Sequence, residues 1–252
     1  MQIRVLAATM LALAIASGSA RATEIVVLGA GAVHEAFEDA AARWRASSGN
    51  DVKAAFMPMG SLRKRLAAHE PADIVIVPAE ALPELETAGI VAAGTRHDLG
   101  AVGLSAAVRK GAPAPDISTP QALRRTLLAA KSVTYIDPEV GTSGKHFDQV
   151  VLPRLGIADA VRAKAILGKG GSVADKVASG EAEIGFQNTT ELMIVPGATV
   201  VGPLPAELQK RTVYAGVVAA DAKNPEAARA LLDYLASPEG RRAFLDRGFA
   251  AP

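Results

Sequence analysis

Short runs of β-branched residues alternate with amphipathic helical patterns along nearly all of this 252-residue chain, and that alternation limits the fold more than any other feature. Strand and helix in turn imply mainly parallel sheets with helices on both faces. Residues 24–28 (EIVVL) read as a buried strand ending at Gly29-Ala30-Gly31. A helix follows, with Val33, Phe37, Ala41 and Trp44 on one face and Gly49 as its stop. Residues 52–56 make a second strand, 61–69 a short helix with a basic face, and 74–77 (IVIV) a third strand closed by Pro78. A helix at 82–87 ends at Gly89.

Residues 101–108 read as a strand leaving this first unit, and 111–115 (GAPAP) as an extended linker. Ser118-Thr119-Pro120-Gln121 then opens a helix with a cap, a proline at the first helical position and a capping-box partner. Residues 132–136 form a strand, 141–144 a turn, and 145–155 a helix interrupted near Pro153. Ser172 caps a helix that stops at Gly180, and 182–187 and 212–219 are strands. Two capped helices close the chain, starting at Asn224-Pro225-Glu226 and Ser237-Pro238-Glu239, with Gly248 after the second. Each sets a carboxylate in the first turn, where the helix dipole favours it.

The N-terminus carries a different signal. Arg4 precedes an uncharged run, 5–16, and small residues lead to Ala20-Arg21-Ala22. This pattern predicts a secretory signal peptide, residues 1–22, cleaved after Ala22 into the periplasm. The run is too short for the ~20 apolar residues of a membrane-spanning helix. The remaining 230 residues suit two lobes of about 100 each. Without Arg4 and Arg21 the basic residues fall from 27 to 25 against 26 acidic ones, a formal charge of −1. A near-neutral chain with 4% aromatics has neither the charge nor the stacking platforms of a nucleic-acid binder. There is no cysteine, so stability comes from the core, and thiol chemistry, cysteine metal sites and a cysteine-linked lipid anchor are excluded.

Familiar catalytic motifs fail on inspection. Gly29-Ala30-Gly31 lacks the third glycine of a dinucleotide fingerprint. Residues 139–146 (EVGTSGKH) lack the first glycine and final hydroxyl of a phosphate loop. Gly141-Thr142-Ser143-Gly144 is one residue short of a nucleophile elbow. His34, His69, His97 and His146 have no metal-ligand spacing. No cofactor and no metal is expected.

The order of 27–37 (VLGAGAVHEAF), 56–66 (FMPMGSLRKRL), 71–89 (PADIVIVPAEALPELETAG), 137–144 (DPEVGTSG), 173–185 (VADKVASGEAEIG) and 223–249 resembles the periplasmic solute-binding proteins of ABC importers. The molybdate-binding branch is the nearest match, and the sequence is also similar to periplasmic aconitate isomerase. The resemblance implies an α/β, two-lobe, type II binding fold with two hinge crossings, near 101–108 and 212–217. Lobe 1 is then 23–104 plus 213–252, and lobe 2 is 105–212. A ligand sits between them, and an inner-membrane ABC permease is the implied partner of a monomeric receptor. Molybdate binders present hydroxyls from two turns and a tyrosine from the second lobe. Here the matching positions hold Ala32, a Pro58-Met59 stretch with no hydroxyl until Ser61, and Asn188. Lost donors in a buried polar site cost about 1–3 kcal/mol each, which argues for an organic carboxylate over molybdate.

Three glycine-containing turns, 29–32, 59–61 and 141–144, adjoin helix starts, where free N–H groups attract anions. The candidate ligand contacts are Gly31, Ala32, His34, Gly60, Ser61, Arg63, Thr142, Ser143, Gly144, Lys145, Gln187 and Asn188. Arg63 and Lys145 stand where a cation opposes the helix dipole, which a bound carboxylate would explain. Two functions compete on this site: capture of a small organic anion for import, and isomerisation of aconitate with His34 as the base. A true oxyanion receptor is the third.

Overall fold

A computed structural model describes residues 23–252; the expected leader lies outside the described residues. Among the described residues, ten strands make two sheets. β1 (Glu24–Ala30), β2 (Asp51–Met57), β3 (Ile74–Pro78) and β4 (His97–Val102) belong to the first, and β5 (Leu104–Arg109), β6 (Val133–Ile136), β7 (Ala165–Gly168), β8 (Ile184–Asn188) and β9 (Ala198–Pro203) to the second. β10 (Thr212–Val218) returns to the first. The orders are β2-β1-β3-β10-β4 and β7-β6-β8-β5-β9. In each sheet four strands share one direction and one opposes them, β10 in the first and β5 in the second.

Helices α1 (His34–Ser48), α2 (Met59–Ala67) and α3 (Leu82–Thr87) cover the first sheet. α4 (Pro120–Ala129), α5 (Thr142–His146), α6 (Leu152–Arg154), α7 (Ala158–Arg162), α8 (Ala174–Ser179) and α9 (Thr189–Leu192) accompany the second. α10 (Pro225–Ala236) and α11 (Pro238–Asp246) close the chain back on the first. β3 is buried at all five positions because it is central and covered on both faces. α1 buries Phe37, Ala41 and Trp44 on the face that the sequence spacing marks, and ends at Gly49. Thr119 accepts from the Ala122 N–H and Ser237 from the Gly240 N–H, so both caps form. Asn224 does not cap α10; its amide donates to the Glu24 carbonyl at 3.1 Å, and its own N–H donates to the buried Asp73. That carboxylate also accepts from the Val26 N–H, pinning α10 to the start of the first sheet.

Several local expectations change in the folded chain. The stretch 101–108 is two strands in two different sheets, parted at Gly103. The chain crosses here to the second lobe and returns between β9 and β10. Gln209 clasps this crossing, its Oε1 accepting from the Leu104 N–H and its Nε2 donating to the Leu104 carbonyl, both at 2.8 Å. The helix expected from Ser61 begins two residues earlier, after Pro58. The turn expected at 141–144 is the first turn of α5, because Gly144 lies so close to the Ile136 carbonyl that a Cβ would come within 1.7 Å of its oxygen. α7, α9, β7 and β9 were not legible in the sequence. The helices are single turns, and the two strands are edges with mixed exposure, so neither shows a clear period.

Two main cores result. One gathers Phe37, Leu62, Ile76, Leu232 and Phe244; the other gathers Tyr135, Phe147, Leu152 and Phe186. The lobes touch through polar groups. The Gly60 N–H donates to the Val140 carbonyl at 2.9 Å, and the Thr190 hydroxyl donates to the Ala32 carbonyl at 2.9 Å. Gly60 is needed there, since a Cβ would stand 3.1 Å from the Val140 Cα.

Candidate functional site

A cavity of about 160 Å³ lies between the lobes, beyond the carboxyl ends of β1, β2, β6 and β8. Each of the three glycine-containing segments reaches it: Gly31 and Ala32 from the first, Met59 from the second, Gly141, Thr142 and Ser143 from the third. β8 ends at Asn188, and α9 starts there, bringing Thr190 and Glu191 to the wall. Phe56, Met57 and Ile136 supply apolar surface. His34 stands at the rim, exposed, its ring stacked on Phe56 at 4.9 Å.

The polar groups come mostly from lobe 2. Ser143 is 7% exposed and lines the cavity, where its hydroxyl is a neutral donor within reach of whatever fills it. Asn188 is buried and donates from Nδ2 to a Glu191 carboxylate oxygen at 2.8 Å. The same nitrogen lies 3.4 Å from the Tyr214 hydroxyl, which arrives from β10 in lobe 1. A phenol thus reaches the corner that the sequence reading left to an amide. Burial and the neighbouring Glu191 raise the Tyr214 phenol above its ordinary value, so it stays protonated. The other Glu191 oxygen points across the cleft at Gly31, 3.4 Å from where a Cβ would be. Burial pushes the Glu191 carboxyl up to about 7, against hydrogen bonds from Asn188 and Gln187 that favour the ionised form. The Glu191 carbonyl accepts from the Ser172 hydroxyl at 2.6 Å, fixing the backbone of α9.

Six of the twelve sequence-expected residues line this cavity: Gly31, Ala32, His34, Thr142, Ser143 and Asn188. The others lie elsewhere. Gly60, Arg63 and Lys145 border a second depression, beside Glu139 and Gln149, which adjoins the cavity through Met59, Gly141 and Thr142. Arg63 is half exposed and paired with Glu84 at 2.9 Å. Ser61 is exposed on α2 and Gly144 packs on β6. Gln187 is fully buried behind the wall; it accepts from the Val173 N–H at 2.8 Å and donates to the Gly171 carbonyl at 3.1 Å, holding the loop that carries Ser172. Among the described residues no His, Cys, Asp or Glu cluster stands ready to hold a metal ion.

Glu191, Tyr214 and Arg247 were not found from the sequence. Arg247 lines the cavity near its rim and forks onto Asp39. Tyr214 hides in a strand that reads as structure. Glu191 follows Asn188 at the spacing of a helix cap and its third residue, which reads as a capping box. In the fold that pair turns its side chains toward each other, and Asn188 makes no capping bond.

Residues 25–250 match the family model of the bacterial extracellular solute-binding proteins. The chain is similar to an aconitate isomerase from Pseudomonas sp, 39% identical over 90% of this chain and 87% of that one. It is also similar to the molybdate-binding protein of Azotobacter vinelandii, 26% identical over 92% of this chain and 91% of the relative. The solved structure of the periplasmic molybdate-binding protein from that organism superposes with a TM-score of 0.76 at 19% identity, covering 90% of this chain and 99% of the other. The two sheets, their shared strand pattern and the interlobe cavity are thus those of a type II binding protein, and the chain belongs to the bacterial extracellular solute-binding proteins, in the branch that resembles the molybdate-binding proteins.

Proposed function

We propose that the interlobe cavity binds a small unsaturated polycarboxylate of the aconitate class and shifts its double bond by proton transfer. The observation that carries this reading is the composition of the cavity wall. Phe56, Met57 and Ile136 offer apolar surface, and Ser143, Thr142, Asn188 and Tyr214 offer neutral donors. A tetrahedral oxyanion has polar atoms on every side and no use for apolar walls. An organic acid has both a carbon skeleton and carboxylates, and a wall of this kind suits it. The aconitate isomerase of Pseudomonas supports the choice of acid, because the identity is 39% and extends over most of both chains.

The family places such a chain in the periplasm, where its other members bind solutes for transport. Capture of the same acid for an ABC importer is the second reading, and the contacts that close the lobes over the cavity favour it: the Gly60–Val140 and Thr190–Ala32 bonds both tie lobe to lobe. The two readings share a ligand and differ in turnover. Incubation of the chain from Thr23 onward with trans-aconitate, followed by chromatography of the cis isomer, is expected to give conversion. Thermal titration with molybdate, tungstate, sulfate and di- and tricarboxylates is expected to raise the melting temperature for the tricarboxylates first. Stabilisation by molybdate and not by carboxylates overturns the ligand assignment, and binding without conversion leaves the transport reading.

A further inference from the structure

A double-bond shift requires that an allylic proton be removed and a proton be delivered to the far end of the double bond, and one well-placed group can do both. Resting on the reading above, we infer that Glu191, and not His34, is that group. Glu191 lines the cavity from lobe 2 and aims one carboxylate oxygen across it toward Gly31. Its second oxygen is held by Asn188 at 2.8 Å, so the carboxylate is oriented rather than free to rotate. The Ser172 bond to its own carbonyl fixes the short helix beneath it. His34 is exposed at the rim, stacked on Phe56, with Nδ1 3.8 Å from the Glu35 carboxylate. His34 is thus exposed, whereas Glu191 is the more enclosed of the two and is oriented by a hydrogen bond.

The step balances without a co-reactant. The Glu191 carboxylate takes a proton from the methylene carbon; the C–H pair moves into the carbon skeleton, and the old double bond pushes its electrons toward a substrate carboxylate as a dienolate. The Glu191 O–H then delivers its proton to the former vinylic carbon, the new double bond forms at the other end, and the enzyme regains its carboxylate. Ser143 and Tyr214 are the neutral donors that face the charge developing on the substrate. Asn188 is a positioning residue. The charged and titratable groups facing this carboxyl are Tyr214 from β10, His34 and Glu35 from α1, and Arg247 beyond α11. Among the described residues that line the cavity the cation is Arg247, and it is engaged by Asp39; a Glu191 carboxyl near 7 leaves both protonation states accessible at neutral pH.

The test compares wild type, Glu191→Gln and His34→Gln for conversion of trans-aconitate and for ligand-induced thermal stabilisation. Glu191→Gln is expected to lower turnover by about 10²–10⁴-fold while trans-aconitate still raises its melting temperature. Wild-type turnover is expected to rise with pH through the neutral range. Undiminished conversion by Glu191→Gln, or loss only in His34→Gln, overturns the assignment and leaves the proposed activity intact. Absence of conversion in the wild type removes the isomerase reading itself. If Glu191→Gln fails to fold, the wild-type profile decides: kcat that is flat from about pH 5 to 9 overturns Glu191 as the base.

Discussion

The two lobes share one strand pattern, yet they hold themselves together differently and bring different things to the cleft. Lobe 1 has an aliphatic and aromatic core, with the buried Asp73 tying α10 to β1. It gives the cavity two of the three glycine-containing segments, the apolar Phe56 and Met57, the Tyr214 phenol and, near the rim, His34, Glu35 and Arg247. Lobe 2 runs a polar network from its core to its surface: the buried Tyr135 hydroxyl donates to Asp148 at 2.9 Å, and the half-exposed Arg162 forks onto the same carboxylate. It gives the cavity its hydroxyls, its amide and its titrating carboxyl. The lesson is a division of labour. The lobe with terminal helices packed on it is the platform, and the inserted lobe carries the groups that discriminate and react.

Removing a fully buried ring probes that division most severely. Phe37→Ala in lobe 1 and Phe147→Ala in lobe 2 each delete a side chain with no exposed surface, and each costs about 3–5 kcal/mol. Because the cores are separate and the lobes meet through few bonds, calorimetry of Phe147→Ala is expected to show two transitions, lobe 2 melting first. A single transition would mean that the lobes are one cooperative unit.

A smaller effect tests the polar network. Asp148→Asn leaves Arg162 without its charged partner and weakens the bond from Tyr135, an expected loss of about 1–3 kcal/mol. Arg162 holds the Asp148 carboxyl below its ordinary value of 3.8. A carboxylate with a lowered folded value stabilises the fold above the unfolded value and loses that contribution as pH falls through the folded one. Melting temperatures followed into acid are therefore expected to fall for the wild type below about pH 4, and to fall less for Asp148→Asn.

The smallest change sharpens the boundary of the site. Arg63→Ala breaks a half-exposed pair with Glu84 and is expected to cost at most about 0.5 kcal/mol. Its affinity for trans-aconitate should match the wild type, because Arg63 borders the adjoining depression and is not among the residues that line the cavity. A clear loss of affinity would draw Arg63 back into the cleft.

The cavity wall was legible in the sequence where a local signal coincided with the end of a strand. Gly31, Ala32, Ser143 and Asn188 follow or precede elements whose periodicity is plain, so their place near a cleft was arguable. Arg63 and Lys145 drew attention through unfavourable charge at a helix start, but a helix presents most of its residues away from any one neighbour, and spacing alone does not say which. Glu191 and Tyr214 carry ordinary local patterns. Their meaning depends on the corner they share with Asn188, which bonds Glu191 within its own lobe and reaches Tyr214 26 residues on in the chain and in the other lobe.

The amino-acid order alone determined the alternation of elements, the caps at Thr119 and Ser237 and the stops at Gly49 and Gly180, because these depend on residues within a turn or two of each other. The near-neutral charge is a plain sum, and the two-lobe expectation came from a resemblance over the whole chain. Tertiary structure alone decided that one apparent strand is two, split at the crossing by Gly103. It also decided which helical cations leave the cleft, and that a carboxyl beside a phenol faces a glycine turn from the opposite lobe. Those outcomes follow from packing and from the loss of solvent around Glu191, and neither is a property of any short stretch of chain.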